Sequence, residues 1–244
     1  MASTGAARSV LRTGRPLDEQ GEPRDGPVLE LERGSEATEL LRSAPRPLAS
    51  NPGAGTWGTL LSHPDAGRTD APELLQWLGP DAGQPPAHRH PAPERFEVLR
   101  GRLTVVRDGE DRRLDPGDAI TVAPGVEHTF RNDTDGFVAF RAELPSMRTV
   151  LSLYTTWGLD HEGAFAADGG FAEPDPLHGL VLSEDVYPDT TVTAAPVALQ
   201  RLLWATAGRV ARARGYSGID RSYLEDAFWR RHVEQPSLDR SDLG

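Results

Sequence analysis

The decisive stretches are HRHPAPERFEVLRG at residues 88–101 and PGDAITVAPGVEHTFRN at residues 116–132. Side chains alternate faces along a β-strand, so His88 and His90 point one way and Arg89 the other. Two imidazoles on one face make a pincer for a metal ion. Glu94 follows after a Pro-Ala-Pro link that can turn the chain, and its parity places Phe96 and Val98 on the same interior face. In the second stretch the tight turn at Pro124-Gly125 can launch a strand whose first inward side chain is His128, with Phe130 next. His88, His90, Glu94 and His128 thus offer three neutral nitrogens and one anionic oxygen to a single divalent transition metal. The set suits iron, manganese, nickel, copper or zinc and does not choose among them.

Working outward, short runs rich in β-branched and aromatic residues alternate with turn signals, the pattern of an antiparallel sandwich or barrel. Gly101, Asp108-Gly109 and Pro116-Gly117-Asp118 each mark a reversal. The predicted strands run roughly over residues 57–61, 73–77, 86–90, 95–100, 102–107, 119–122, 128–131 and 137–143. Residues 51–145 are therefore expected to form the barrel. Residues 1–50, rich in Gly, Pro, Arg and acidic groups, read as a flexible arm that can add an edge strand. Residues 146–244 read as a helical extension, with helices over 147–157, 176–184, 196–214 and 221–231. In the third of these, Leu199, Leu202, Leu203, Thr206 and Val210 fall at helical spacing, which predicts a buried stripe opposite Arg201, Arg209 and Arg212. There is no internal repeat and no second copy of the histidine motif, so one barrel is expected.

Composition narrows the chemistry. The 244 residues contain no cysteine, which excludes disulfides, thiolate ligands and a cysteine nucleophile, so a metal must be held by nitrogen and oxygen. The formal net charge of −11 argues against a nucleic-acid partner or an anionic membrane surface, and every basic residue is arginine. The first residues offer arginines but no apolar signal-peptide core, and no later span is of bilayer length. A cytoplasmic protein acting on a small molecule is the expectation.

The spacing resembles the two motifs of the cupin superfamily: His-x-His, three residues, Glu, six residues, Gly, and then Gly, five residues, a proline position, one residue, Gly, two residues, His, three residues, Asn. These fall on His88, His90, Glu94 and Gly101, and on Gly117, Gly125, His128 and Asn132. Two positions depart from the pattern: Ala123 occupies the proline position with Pro124 one place later, and Gly83 precedes His88 by one residue fewer than usual. Neither removes a ligand. The resemblance implies a mainly β fold, a double-stranded β-helix or jelly-roll barrel, here followed by helices as in some small bacterial members.

For activity, the resemblance implies a mononuclear metal-dependent dioxygenase acting on a small enol, hydroxy-keto or phenolic substrate, with Glu94 both a ligand and the catalytic general base. Two other readings stand beside it. One is a redox-neutral isomerase, epimerase or lyase working by Lewis-acid polarisation. The other is a non-catalytic small-molecule binding or sensing barrel whose C-terminal helices mediate partner contact or formation of a homodimer. Phe96, Val98 and Phe130 read as core, with pocket lining the alternative. The isolated His63, His161, His178 and His232 read as surface or capping residues, and Asn132, Gly101, Gly117 and Gly125 as turn and strand-end residues that fix the ligands' geometry.

Overall fold

A computed structural model describes residues 9–62, 71–166 and 170–238. In chain order the first elements are β1 (Val10–Thr13), β2 (Leu29–Glu32), α1 (Glu36–Ser43), β3 (Ala49–Asn51), β4 (Thr56–Leu60) and β5 (Glu73–Leu78). The motif-bearing strands follow: β6 (His88–Arg89), β7 (Glu94–Arg100), β8 (Leu103–Arg107), β9 (Glu110–Leu114), β10 (Ala119–Val122), β11 (His128–Asn132) and β12 (Val138–Glu143). The C-terminal part comprises α2 (Met147–His161), α3 (Pro176–Val186), β13 (Thr191–Val192), α4 (Val197–Leu203), α5 (Arg209–Ala213) and α6 (Asp226–His232).

Two antiparallel sheets carry the fold, one ordered β10-β7-β12-β5-β4-β3 and the other β13-β6-β11-β8-β9. Alternation explains their packing. In β7, Glu94, Phe96 and Val98 are buried while Arg95 and Glu97 are partly exposed, and Arg95 and Glu97 pair with each other at 2.8 Å on the outer face. The inward side chains of the two sheets meet: Phe96 on β7 lies 5.4 Å from Phe130 on β11, and Phe130 lies 5.5 Å from Phe140 on β12, ring centre to ring centre. This aromatic layer, with Val98 and Val105 fully buried, is the floor beneath the histidines.

Gly101 allows the β7–β8 reversal to close. Its φ is +72°, and a Cβ there would stand 2.6 Å from the Phe137 carbonyl oxygen. Gly101→Ala is accordingly expected to destabilise the fold by about 2 kcal/mol or more, read as a lowered midpoint in urea at unchanged slope. Asn132, at the end of β11, secures the same corner: its amide donates to the Gly79 and Gly136 carbonyls at 2.8 and 2.7 Å, and its oxygen accepts from Thr134 N–H at 2.9 Å.

Three expectations need correction. The described part of residues 1–50 is no loose arm: Leu29, Leu31, Leu48 and Ala49 are buried, and β3 forms the edge of the six-stranded sheet. Its short apolar pieces are enough because the C-terminal segment covers them. Arg15 grips Glu234 with two hydrogen bonds of 2.9 and 2.7 Å, and backbone hydrogen bonds join Gly14, Arg15 and Leu17 to residues 232–234. The strand expected over residues 86–90 shrinks to His88–Arg89, because prolines flank it and cannot donate to a ladder, and a strand at Glu110–Leu114 completes the hairpin after Asp108-Gly109.

The third expected helix is turned the other way. It runs from α4 through a π-helical turn at Trp204–Gly208 into α5, and buries Gln200, Trp204, Gly208 and Ala211. Leu199, Leu202, Leu203 and Val210 are exposed. The helix is drawn in by hydrogen bonds as well as by apolar area: Gln200 Nε2 donates to the Val192 and Ala195 carbonyls at 2.7 and 2.6 Å, and Trp204 Nε1 donates to Ser183 Oγ at 3.1 Å. No described helix is long and apolar enough to cross a membrane.

Candidate metal centre

The four expected ligands converge. One donor atom each from His88, His90, Glu94 and His128 lies within 4.8 Å of all the others. Adjacent ligands of an octahedral ion at about 2.1 Å sit about 3 Å apart and opposite ones about 4.2 Å, so a small contraction turns this cluster into a coordination shell. The carboxylate comes from one sheet and the imidazoles from the other. Glu94 opens β7, while His88 and His128 face each other across the β6–β11 ladder. His90 continues the chain beyond β6 and is 3% exposed, against 2% for His128 and 4% for Glu94.

Each ring is held in one tautomer by its Nδ1. His88 Nδ1 donates to the Pro86 carbonyl at 2.7 Å, His90 Nδ1 to the Asp189 carbonyl at 2.9 Å, and His128 Nδ1 to the Val126 carbonyl at 3.1 Å. A ring that donates through Nδ1 presents a bare lone pair at Nε2, the arrangement that orients metal-binding histidines. His90 Nε2 is buried, lies 3.3 Å from Glu94 Oε2, and makes no hydrogen bond with acceptable geometry. An unpartnered ring nitrogen shut away from water is costly, and an ion between these groups would satisfy it. On that observation the donor set fits a divalent metal.

The electrostatics agree. Burial pulls the His88 imidazole down to about 4, helped by the neighbouring His128, so the ring is uncharged at neutral pH and keeps only its Nδ1 proton. Burial alone would raise Glu94, but the 2.7 Å hydrogen bond to His128 Nε2 and the nearness of His90 and His88 overcome it and bring the carboxyl to about 2. Burial also pulls His128 down, yet the hydrogen bond and charge of Glu94 prevail and hold it above the ordinary histidine value. A hydrogen bond between His128 and Glu94 and ligation by both use the same lone pairs, so a proton and an ion compete at His128. Zinc affinity is therefore expected to fall as the pH is lowered through neutrality. The loss near neutrality arises at His128, because His88 takes up a proton only near pH 4. Calorimetric titration across pH 5.5–8.5 in buffers of different ionisation enthalpy reads both the affinity and the released proton.

The C-terminal part contributes what the sequence did not reveal. β13 pairs with β6, placing Val192 opposite His88, and the preceding residues present the Asp189 carbonyl and Thr190 Oγ1, at 2.9 and 3.1 Å, to His90 Nδ1. Ser146, the cap of α2, holds Asp189 Oδ2 at 2.9 Å. A backbone carbonyl has no sequence signature, so nothing in the residue pattern marks this partner. Phe96 lies 6.3 Å from the His128 ring and is fully buried, which makes it floor as well as core.

The isolated histidines stand apart from the cluster, and two of them are buried where surface or capping roles were expected. His161 meets Ser50 Oγ at 2.9 Å between α2 and β3, and His178 Nε2 donates to the Ser217 carbonyl at 3.1 Å. His178 Nδ1 is buried without a partner, as His90 Nε2 is, but among the described residues it belongs to no group of three or more metal-ligating side chains. His232 is partly buried and donates to the Phe228 carbonyl at 2.8 Å, a capping role. His63 lies outside the described residues.

Residues 74–140, which include all four converging side chains, match the family model described as Cupin domain. Over these residues the chain carries a cupin domain. Among curated proteins it is 34% identical over 89 residues to the endoribonuclease YbeY of Myxococcus xanthus, a match covering 33% of this chain and 30% of that protein. The chain thus spans less than a third of that relative. Solved structures with a similar part include the polyketide cyclase RemF from Streptomyces resistomycificus, at 24% identity and a TM-score of 0.34 over 38% of this chain and 66% of that one. A sugar phosphate isomerase from a cupin superfamily of Silicibacter pomeroyi matches at 29% identity and a TM-score of 0.34, over 42% of this chain and 71% of that one. A variant of the salicylate 1,2-dioxygenase from Pseudoaminobacter salicylatoxidans matches at 26% identity and a TM-score of 0.32, over 35% and 26%.

Proposed function

We propose that the chain is a mononuclear metal-dependent enzyme of the dioxygenase type, in which His88, His90, Glu94 and His128 hold one divalent ion and a small enol, hydroxy-keto or phenolic compound is the substrate. The observation that carries the reading is the convergence of one donor atom from each of three imidazoles and one carboxylate at a largely buried place, with His90 Nε2 left without a partner. When bound, such an ion supplies Lewis-acid polarisation of a chelating oxygen and one-electron redox chemistry, and four protein ligands leave positions open. The residues do the rest. The three backbone carbonyls keep the rings aimed, so little reorganisation accompanies reaction. A proton leaving the substrate hydroxyl moves to a carboxylate oxygen of Glu94, the acid-base group of the cluster that does not depend on a ring tautomer. Phe96, Phe130 and Val98 keep water from beneath the reacting carbons and favour a flat, apolar body.

The test is metal analysis of protein purified without chelator or histidine tag, followed by an oxygen-electrode screen of enols, diketones and phenols with each candidate metal. Oxygen uptake in proportion to substrate loss is expected. Substrate loss without uptake would replace this reading by a redox-neutral lyase or isomerase, and tight binding without loss by a sensing barrel.

A further inference from the structure

One arginine stands inside the same end of the barrel. In an antiparallel ladder, directly opposite residues share a face. His128 on β11 is opposite His88 on β6 on one side and opposite Arg107 on β8 on the other. Arg107 therefore continues the row of ligands along the inner wall. The parity of its own strand agrees: Leu103 and Val105, four and two residues back on the same face, are fully buried, and Val105 pairs with the inward Phe130.

What sets Arg107 apart is that no carboxylate among the described residues pairs with its guanidinium. The other barrel arginines are mostly engaged. Arg95 and Arg141 bind Glu97, Arg131 binds Asp111 and Asp133, and Arg102 binds Asp115, all at 2.6–2.8 Å. Glu110 is the cross-strand neighbour of Arg107, yet its carboxylate is taken by Arg112 at 2.6 Å. Arg107 is half-buried and, among the described residues, its guanidinium has no ion pair or hydrogen bond. Arg89 and Arg113 also form no ion pair at contact distance, though Arg113 interacts electrostatically with Asp133; both are exposed, and parity turns them to the outer face. In a chain whose net charge is −11, carboxylates are abundant, and a half-buried guanidinium beside a ligand cluster that has recruited none is available to a ligand.

We infer that Arg107 is the specificity residue of this site, receiving a carboxylate carried by the substrate while the substrate's enol or phenolic oxygens face the four ligands. The inference rests on the reading of those ligands as a metal-dependent substrate site and adds the class of substrate: an anionic one. A guanidinium offers two parallel N–H donors that match a carboxylate, and such charge-assisted pairs discriminate against neutral analogues in a partly desolvated pocket. Arg107 also adds a positive charge beside a site that the overall acidity of the protein would otherwise make hostile to anions.

The test uses the full chain loaded with zinc, which does not turn over oxygen, and two matched probe pairs: acetopyruvate against its methyl ester and protocatechuate against its methyl ester. Wild-type protein is expected to bind at least one acid more tightly than its ester by about tenfold or more, the range of hydrogen bonds to a charged group. Arg107→Ala is expected to erase the preference while leaving ester affinity and zinc content unchanged, and Arg107→Lys to restore part of it. Lack of any acid-over-ester preference in the wild type, or a preference that survives in Arg107→Ala, overturns the inference. Zinc content separates the two readings. Wild-type protein that takes up no zinc refutes the metal site, whereas an Arg107-dependent preference in that same protein still upholds the anion anchor.

Discussion

Replacing His90 by alanine is expected to lower metal affinity by more than about a hundredfold and to abolish turnover. Losing an outer hydrogen-bond partner of a ligating histidine already costs 10–100-fold, and here the ligand itself goes. The effect should exceed that of His88→Ala, because His90 is the more buried ring and the one tied to the C-terminal segment. His88 is partly exposed, so water can take its place with less penalty. Metal content by mass spectrometry checks the prediction, and a retained near-ultraviolet circular dichroism spectrum separates loss of the ion from loss of the fold. Full occupancy in His90→Ala would remove this ring from the site.

Glu94→Gln is expected to act differently. Glutamine keeps the size and one acceptor oxygen, so the hydrogen bond to His128 can survive while the charge does not. His128 then loses the interaction that holds it above the ordinary histidine value, and its proton competes less well with an ion. Metal content should consequently fall modestly, whereas turnover should fall by about 10²–10⁴, the range for losing a positioned acid-base group. Parallel measurement of occupancy and kcat separates the two effects. Equal losses in both would leave Glu94 as a ligand only.

The converging side chains were legible because they depend on the two most dependable features of a strand, parity and the turns that launch it. His88, His90 and His128 are placed by alternation, and Gly101 and Gly125 by turns that require positive φ. Most of the barrel strands were legible for the same reason. Parity alone would also have put Arg107 on the face of Leu103 and Val105. The rest depends on distant contacts. No local pattern told that Arg15 would meet Glu234, so the N-terminal residues looked unanchored. In the helix beginning at Val197 the apolar stripe and the buried stripe differ, because Gln200 and Trp204 win their places through hydrogen bonds to partners that periodicity does not see.

The Asp189 carbonyl that steadies His90 belongs to a stretch fastened at several points to the barrel: Thr193 N–H donates to Ala87 O at 2.9 Å, Val192 pairs with His88, and Ser146 clasps Asp189. Any ion drawing on His90 Nε2 consequently leans on residues 187–193 too, and thermodynamic reciprocity makes the debt mutual. Loading the centre must slow hydrogen exchange and protease nicking there, and cutting that tether must loosen the grip on the ion by the same factor. The last third of the chain is thus a remote handle on the barrel's affinity.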